Sequence, residues 1–84
     1  MQRLDGNAIG GLLLEIFGTE MTMSTGVCGT CGATGPIAEL HVYVRAPGAV
    51  VRCARCEAVL MKIVRAGNRA WLDLRGLRSL ELNV

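Results

Sequence analysis

The chain has 84 residues, 51% of them hydrophobic and only 4% aromatic, with a formal net charge of +2. That length admits one domain over residues 1–84, because two independent cores would each be starved of buried surface. The apolar share excludes a disordered tail, and eleven scattered glycines without heptads exclude a collagen-like or coiled-coil chain.

Asp5, Gly6 and Asn7 offer helix-capping groups just ahead of an apolar periodicity. Ile9, Leu12, Leu13, Ile16 and Phe17 fall on one helical face, and Gly18 supplies a stop. The spacing predicts a helix over about residues 6–17. Gly10 and Gly11 each cost about 1 kcal/mol relative to Ala, so this helix is expected to hold by docking. Met21 and Met23 alternate with Thr22 and Ser24, a weak strand signal leading into Val27 and Cys28.

The run Ala33-Thr34-Gly35-Pro36 reads as a turn. Residues 37–45 then alternate, with Ala38, Leu40, Val42 and Val44 on one face and Glu39, His41, Tyr43 and Arg45 on the other, as in a half-buried strand. Ala46-Pro47-Gly48 turns the chain and Ala49 to Arg52 return it, a hairpin signal. Ala58 to Val64 is apolar on both faces apart from Lys62 and reads as a central strand. Arg65 to Asn68 form the next turn, and Ala70 to Arg75 the next strand, with Leu72 and Leu74 facing in. Leu80, Leu82 and Val84 alternate with Glu81 and Asn83, as an edge strand or extension over residues 77–84 would. The expected fold is α+β: an N-terminal helix on a small antiparallel sheet spanning about residues 20–75.

No segment reads as a membrane span, since the long uncharged run from Met21 to Ala38 is rich in Thr, Gly and Cys and contains Pro36. The apolar stretch Ile9 to Phe17 is interrupted by Glu15 and lacks a small-residue cleavage site, so no signal peptide is expected. The expected location is cytoplasmic. In that reducing compartment, paired cysteines read as metal ligands before disulfides.

Cys28-Gly29-Thr30-Cys31 and Cys53-Ala54-Arg55-Cys56 form two C-x2-C units with residues 32–52 between them. Two residues between cysteines make a tight turn that aims both sulfurs at one point. Two such knuckles complete a tetrahedron, with Zn–S near 2.3 Å. Gly29 and Gly32 ease the first knuckle, whereas Glu57 takes the place after Cys56 in the second. All four ligands come from protein, so the expected site is closed and structural, holding one Zn²⁺. Zinc loading exchanges four thiol protons for a divalent cation, so the formal +2 falls to about zero. Iron is the alternative metal, because a tetrahedral four-sulfur site suits both.

His41, the only histidine, lies on the polar face of its strand with no evident nucleophile beside it, so it reads as a surface residue. No HExxH, GxSxG or phosphate-loop motif is present, and no catalytic residue is assigned. Residues 1–44 carry a net −3 and residues 45–84 a net +5. Arg52, Arg55, Lys62, Arg65 and Arg69, with Trp71 or Tyr43 for stacking, form a candidate contact surface for nucleic acid or a protein partner. Against that, the same cations solvate a strand face and offset the thiolates. The doubly apolar run 58–64 leaves one face to be covered by a protein partner, by a second copy of the chain, or by Leu77 to Val84 folding back.

The run Cys28-Gly-Thr-Cys31-Gly32 is similar to the CxxCG knuckle of rubredoxins and zinc ribbons, and with the hairpins the chain resembles a zinc ribbon. Rubredoxins typically carry acidic surfaces and an aromatic core; this chain has neither, which favours zinc. Leu4-Asp5-Gly6-Asn7-Ala8 and the run Arg69 to Leu82 resemble a family of small uncharacterised zinc-ribbon-like proteins from high-GC Gram-positive bacteria. That resemblance implies a self-contained protein and no particular activity. The expected function is a non-catalytic zinc-binding interaction module or accessory subunit. A rubredoxin-like electron carrier and a nucleic-acid or ribosome-binding ribbon are the alternatives.

Overall fold

A computed structural model describes residues 3–82. It forms a small α+β fold with one short α-helix and eight strands in two antiparallel sheets. The strands are β1 (Arg3–Asp5), β2 (Thr25–Cys28), β3 (Thr34–Pro36), β4 (His41–Arg45), β5 (Gly48–Arg52), β6 (Val59–Ala66), β7 (Arg69–Asp73) and β8 (Leu77–Leu80). The larger sheet runs β1-β4-β5-β6-β7 and the smaller β3-β2-β8. No helix among the described residues is long and apolar enough to cross a membrane.

The predicted helix exists in two pieces, a 3-10 turn over Gly6–Ile9 and helix α1 over Gly10–Phe17. Asp5 caps the first by accepting the Asn7 N–H at 3.0 Å. Gly18 ends the second in a left-handed conformation, donating its N–H to Leu14 O at 2.8 Å. Ile9 and Leu13 are buried against Val42, Ala49, Val51, Met61 and Ile63 on the inner face of the larger sheet. Leu13, Val42, Val51 and Ile63 are fully buried, and each such side chain stabilises the fold by about 1.5–3 kcal/mol.

Several expectations need correction. Thr34–Pro36, read as part of a turn, is strand β3 paired with β2, and Arg65 and Ala66, also read as turn, belong to β6, so that only Gly67 and Asn68 turn. The alternation over residues 37–45 is not one strand: Ile37–Glu39 is a 3-10 turn and β4 begins at His41. Ile37 and Ala38 donate their N–H groups to Ser24 O and Thr22 O, so these residues bond across a loop instead of along a strand. Consequently Ile37 is buried and Val44, at the far end of β4, is 48% exposed. Met21 to Ser24 is likewise a turn preceding β2, and it buries Met21 in the core. Leu72 faces the helix side, opposite Ile63, yet β7 is an edge strand and the side chain is 37% exposed.

β6 is interior, as its apolar run predicts, with Met61 and Ile63 towards α1. Leu60 points to the other side and is buried against Cys28, Cys53 and Leu77. Residues 77–80 thus do fold back, as β8 pairing with β2, and cover the end of β6 nearest Cys28 and Cys53. Leu82 is exposed and lies beyond β8, and the end of the expected edge strand, residues 83–84, lies outside the described residues. The turn before β8 approaches β6 closely: Gly76 donates its N–H to Leu60 O at 3.2 Å, and a Cβ on Gly76 would collide with Val59 O. The outer face of the larger sheet beyond Leu60 remains open, with Lys62, Val64 and Trp71 exposed.

Candidate metal centre

The four cysteines converge where the two sheets meet. Cys28 ends β2, and Cys53 follows β5 directly. Each begins a turn with the same backbone pattern. Cys28 N–H donates to Ala33 O and accepts Gly32 N–H on its carbonyl; Cys53 N–H donates to Ala58 O and accepts Glu57 N–H. In both turns the residue after the second cysteine is left-handed, Gly32 at φ 78° and Glu57 at φ 64°. Gly29 does not use positive φ. It lies close to the Gly76 turn, donating its N–H to Gly76 O at 2.9 Å.

The four sulfurs all lie within 4.8 Å of one another. Cys28 Sγ is 3.7 Å from Cys56 Sγ, and Cys31 Sγ is 3.6 Å from Cys53 Sγ. A tetrahedron with Zn–S of 2.3 Å has edges of about 3.8 Å, so the donor set fits a single ion. The cysteines are free thiols, with Cys28 and Cys53 buried and Cys31 and Cys56 exposed.

Backbone donors prepare the buried pair for the thiolate state. The Cys31 N–H, with the Thr30 N–H, lowers the Cys28 thiol to about 6 against the opposition of burial. Burial pushes Cys53 up, but the Cys56 and Arg55 N–H groups outweigh it, so its pKa falls. At Cys56 the Ala58 N–H favours the thiolate. Partial desolvation and the three neighbouring sulfurs together overcome it and raise the thiol to about 11. Thiols crowded this closely cannot all ionise without a cation to balance them.

Glu57 is the residue that sequence reasoning undervalued. Its carboxylate takes His41 Nδ1 at 2.5 Å and the Tyr43 hydroxyl at 3.3 Å, while Arg52 Nη1 donates to its carbonyl at 2.8 Å. His41 is therefore a strut between β4 and the second knuckle, and Glu39, in the preceding turn, does not share its strand face. A signal was available: the two C-x2-C units differ at the residue after the second cysteine, Gly32 against Glu57. Beside Cys28 and Cys53 lies a cleft of about 90 Å³, lined also by Leu40, Leu60, Glu39 and Arg55.

The basic residues do not form one cluster. Arg52, Lys62, Arg69 and Trp71 project on the outer sheet face, by the strand register. Arg65 is on the helix side and pairs with Glu15. Arg55 lies in the second knuckle.

No curated protein and no solved structure matches the chain. One protein-family model matches residues 1–84, and the chain belongs to that family, described as "Family of unknown function (DUF6510)".

Proposed function

We propose that the chain is a non-catalytic, zinc-ribbon-like interaction module whose fold is braced by one structural Zn²⁺ on Cys28, Cys31, Cys53 and Cys56. The observation that carries this reading is the tetrahedral spacing of four protein sulfurs. Such a donor set fills every position on a four-coordinate ion and leaves none for water or substrate. The space beside it, about 90 Å³, is well below the roughly 300 Å³ at which ligand pockets begin. The exposed outer sheet face, with Val64 and Trp71, is the surface offered to a protein partner. A cytoplasmic setting in a high-GC Gram-positive bacterium belongs to the same reading, since a reducing compartment keeps the thiols free.

The electron-carrier reading has one observation behind it: Cys31 and Cys56 are exposed, so a bound iron would lie near solvent for electron exchange. Metal analysis of the purified chain decides between them. One zinc per chain and no visible absorption supports the structural reading, whereas coloured protein with a reversible one-electron couple overturns it. Cys53→Ser is expected to lose both the metal and cooperative unfolding; unchanged metal content contradicts the ligand assignment. The nucleic-acid reading, weakened by the dispersal of the arginines, requires RNA or DNA affinity that falls steeply with salt.

A further inference from the structure

The larger sheet ends on β7, and its free edge is self-complementary. In β7 the residues run Arg69-Ala70-Trp71-Leu72-Asp73. The hairpin from β6 turns on two residues, Gly67 and Asn68, with Gly67 at φ 61° and Ala66 opposite Arg69. In a two-residue hairpin the closing pair is hydrogen-bonded, and bonded and non-bonded pairs then alternate. Arg69, Trp71 and Asp73 thus spend their backbone groups on β6. Ala70 and Leu72 direct theirs to the outside. Neither proline nor a register shift blunts this edge.

A second β7 laid antiparallel across a two-fold axis at Trp71 brings every residue against a suitable partner. Arg69 faces the other copy's Asp73, and Asp73 faces the other copy's Arg69. Ala70 and Leu72 face each other and exchange the unspent hydrogen bonds. Trp71 meets its own copy at a non-hydrogen-bonded position, where side chains approach most closely and aromatic pairs stabilise a sheet best. Trp71 is 53% and Leu72 37% exposed in the single chain, and an open depression of about 520 Å³ runs alongside them. Asp73 is already held by Arg75, whose guanidinium keeps its carboxyl down at about 2, so it is charged at neutral pH. Asp73 already accepts the Arg75 backbone N–H, Nε and Nη2, so of its roughly four acceptor positions about one is left for a guanidinium N–H of the second copy. The opposite edge, β1, has three residues and offers a shorter ladder.

We propose that the chain forms a two-fold homodimer through β7–β7 pairing, joining two five-stranded sheets into one of ten. This deepens the interaction-module reading, on which it rests, by naming the partner as a second copy.

The test is sedimentation equilibrium on the full-length, metal-loaded chain as purified. The expected mass is twice the 8.9 kDa of one chain, with the emission of Trp71, the only tryptophan, shifting to the blue on assembly. Asp73→Arg sets Arg69 against an arginine, and Arg69→Asp sets Asp73 against an aspartate. Each variant alone is expected to weaken association by about tenfold or more. Mixed together, the two variants restore opposite charges at both pairs and are expected to form a heterodimer. The double swap R69D/D73R is expected to dimerise by itself. A wild-type chain that stays monomeric at millimolar concentration overturns the proposal, as do single variants that dimerise undiminished or a mixture that does not combine. Those outcomes, with metal content intact, leave the metal-braced module standing; loss of the metal reading shows instead in metal analysis.

Discussion

Glu57 holds a left-handed backbone conformation that costs an L-residue about 1–2 kcal/mol and that glycine adopts freely. What offsets the cost is visible in its contacts, since one carboxylate ties His41 and Tyr43 of β4 to the second cysteine knuckle. Two substitutions separate the backbone from the side chain. Glu57→Ala keeps the strained backbone and loses both contacts, whereas Glu57→Gly loses the contacts but relieves the strain. The glycine variant is expected to be the more stable of the two by about 1 kcal/mol in denaturant unfolding of the metal-loaded chain. An alanine variant as stable as the glycine variant contradicts the left-handed assignment. At this scale the four-cysteine cluster was legible, because C-x2-C spacing is a local pattern. The role of His41 was not, because its partner lies sixteen residues away on another turn.

The elements divide in the same way. The helical segment 6–17 could be read because the Asp5 cap of its 3-10 turn, the apolar periodicity and the Gly18 stop of α1 act within one stretch of chain. The 3-10 turn at Ile37–Glu39 was hidden because its residues continue the alternation of β4 while Thr22 and Ser24 capture its N–H groups. β1 was invisible: Arg-Leu-Asp carries no pattern of its own and is a strand only because it pairs with β4. The second sheet depends on the Gly76 turn, which accepts the Gly29 N–H from the first knuckle and donates to Leu60 of β6. A methyl group there meets the β6 backbone. Gly76→Ala is therefore expected to lower stability by about 1–3 kcal/mol and to loosen the metal, read as faster zinc release to a chelator. Unchanged release would show that the turn does not brace the knuckles.

The described residues form a thin structure, 34 × 34 × 20 Å, in which one short α-helix covers one face of the larger sheet. Fewer than a hundred residues with three aromatic side chains make a core too small to be secure alone. The cysteines lie at the junction of the two sheets, where Leu40 and Leu77 belong to both apolar clusters. On the reading proposed above, a metal ion at that point would join β2 to the end of β5 and close the fold. Part of the apolar surplus evident in the composition is visible in two places. Leu60 lies under β8, whereas Trp71 and Leu72 of edge strand β7, and Val64 beside them on β6, stay exposed. Composition could show the surplus but not this partition, since β8 pairs with a strand about fifty residues earlier.

Removal and return of zinc on the reduced chain, followed by circular dichroism and thermal unfolding, tests the metal-braced fold most directly. Structural zinc sites contribute apparent binding energies of order 10 kcal/mol to folding. The expected result is saturation at one zinc per chain, with cooperative unfolding lost on chelation and restored at that stoichiometry. The same cooperative transition at the same midpoint with and without metal would contradict it.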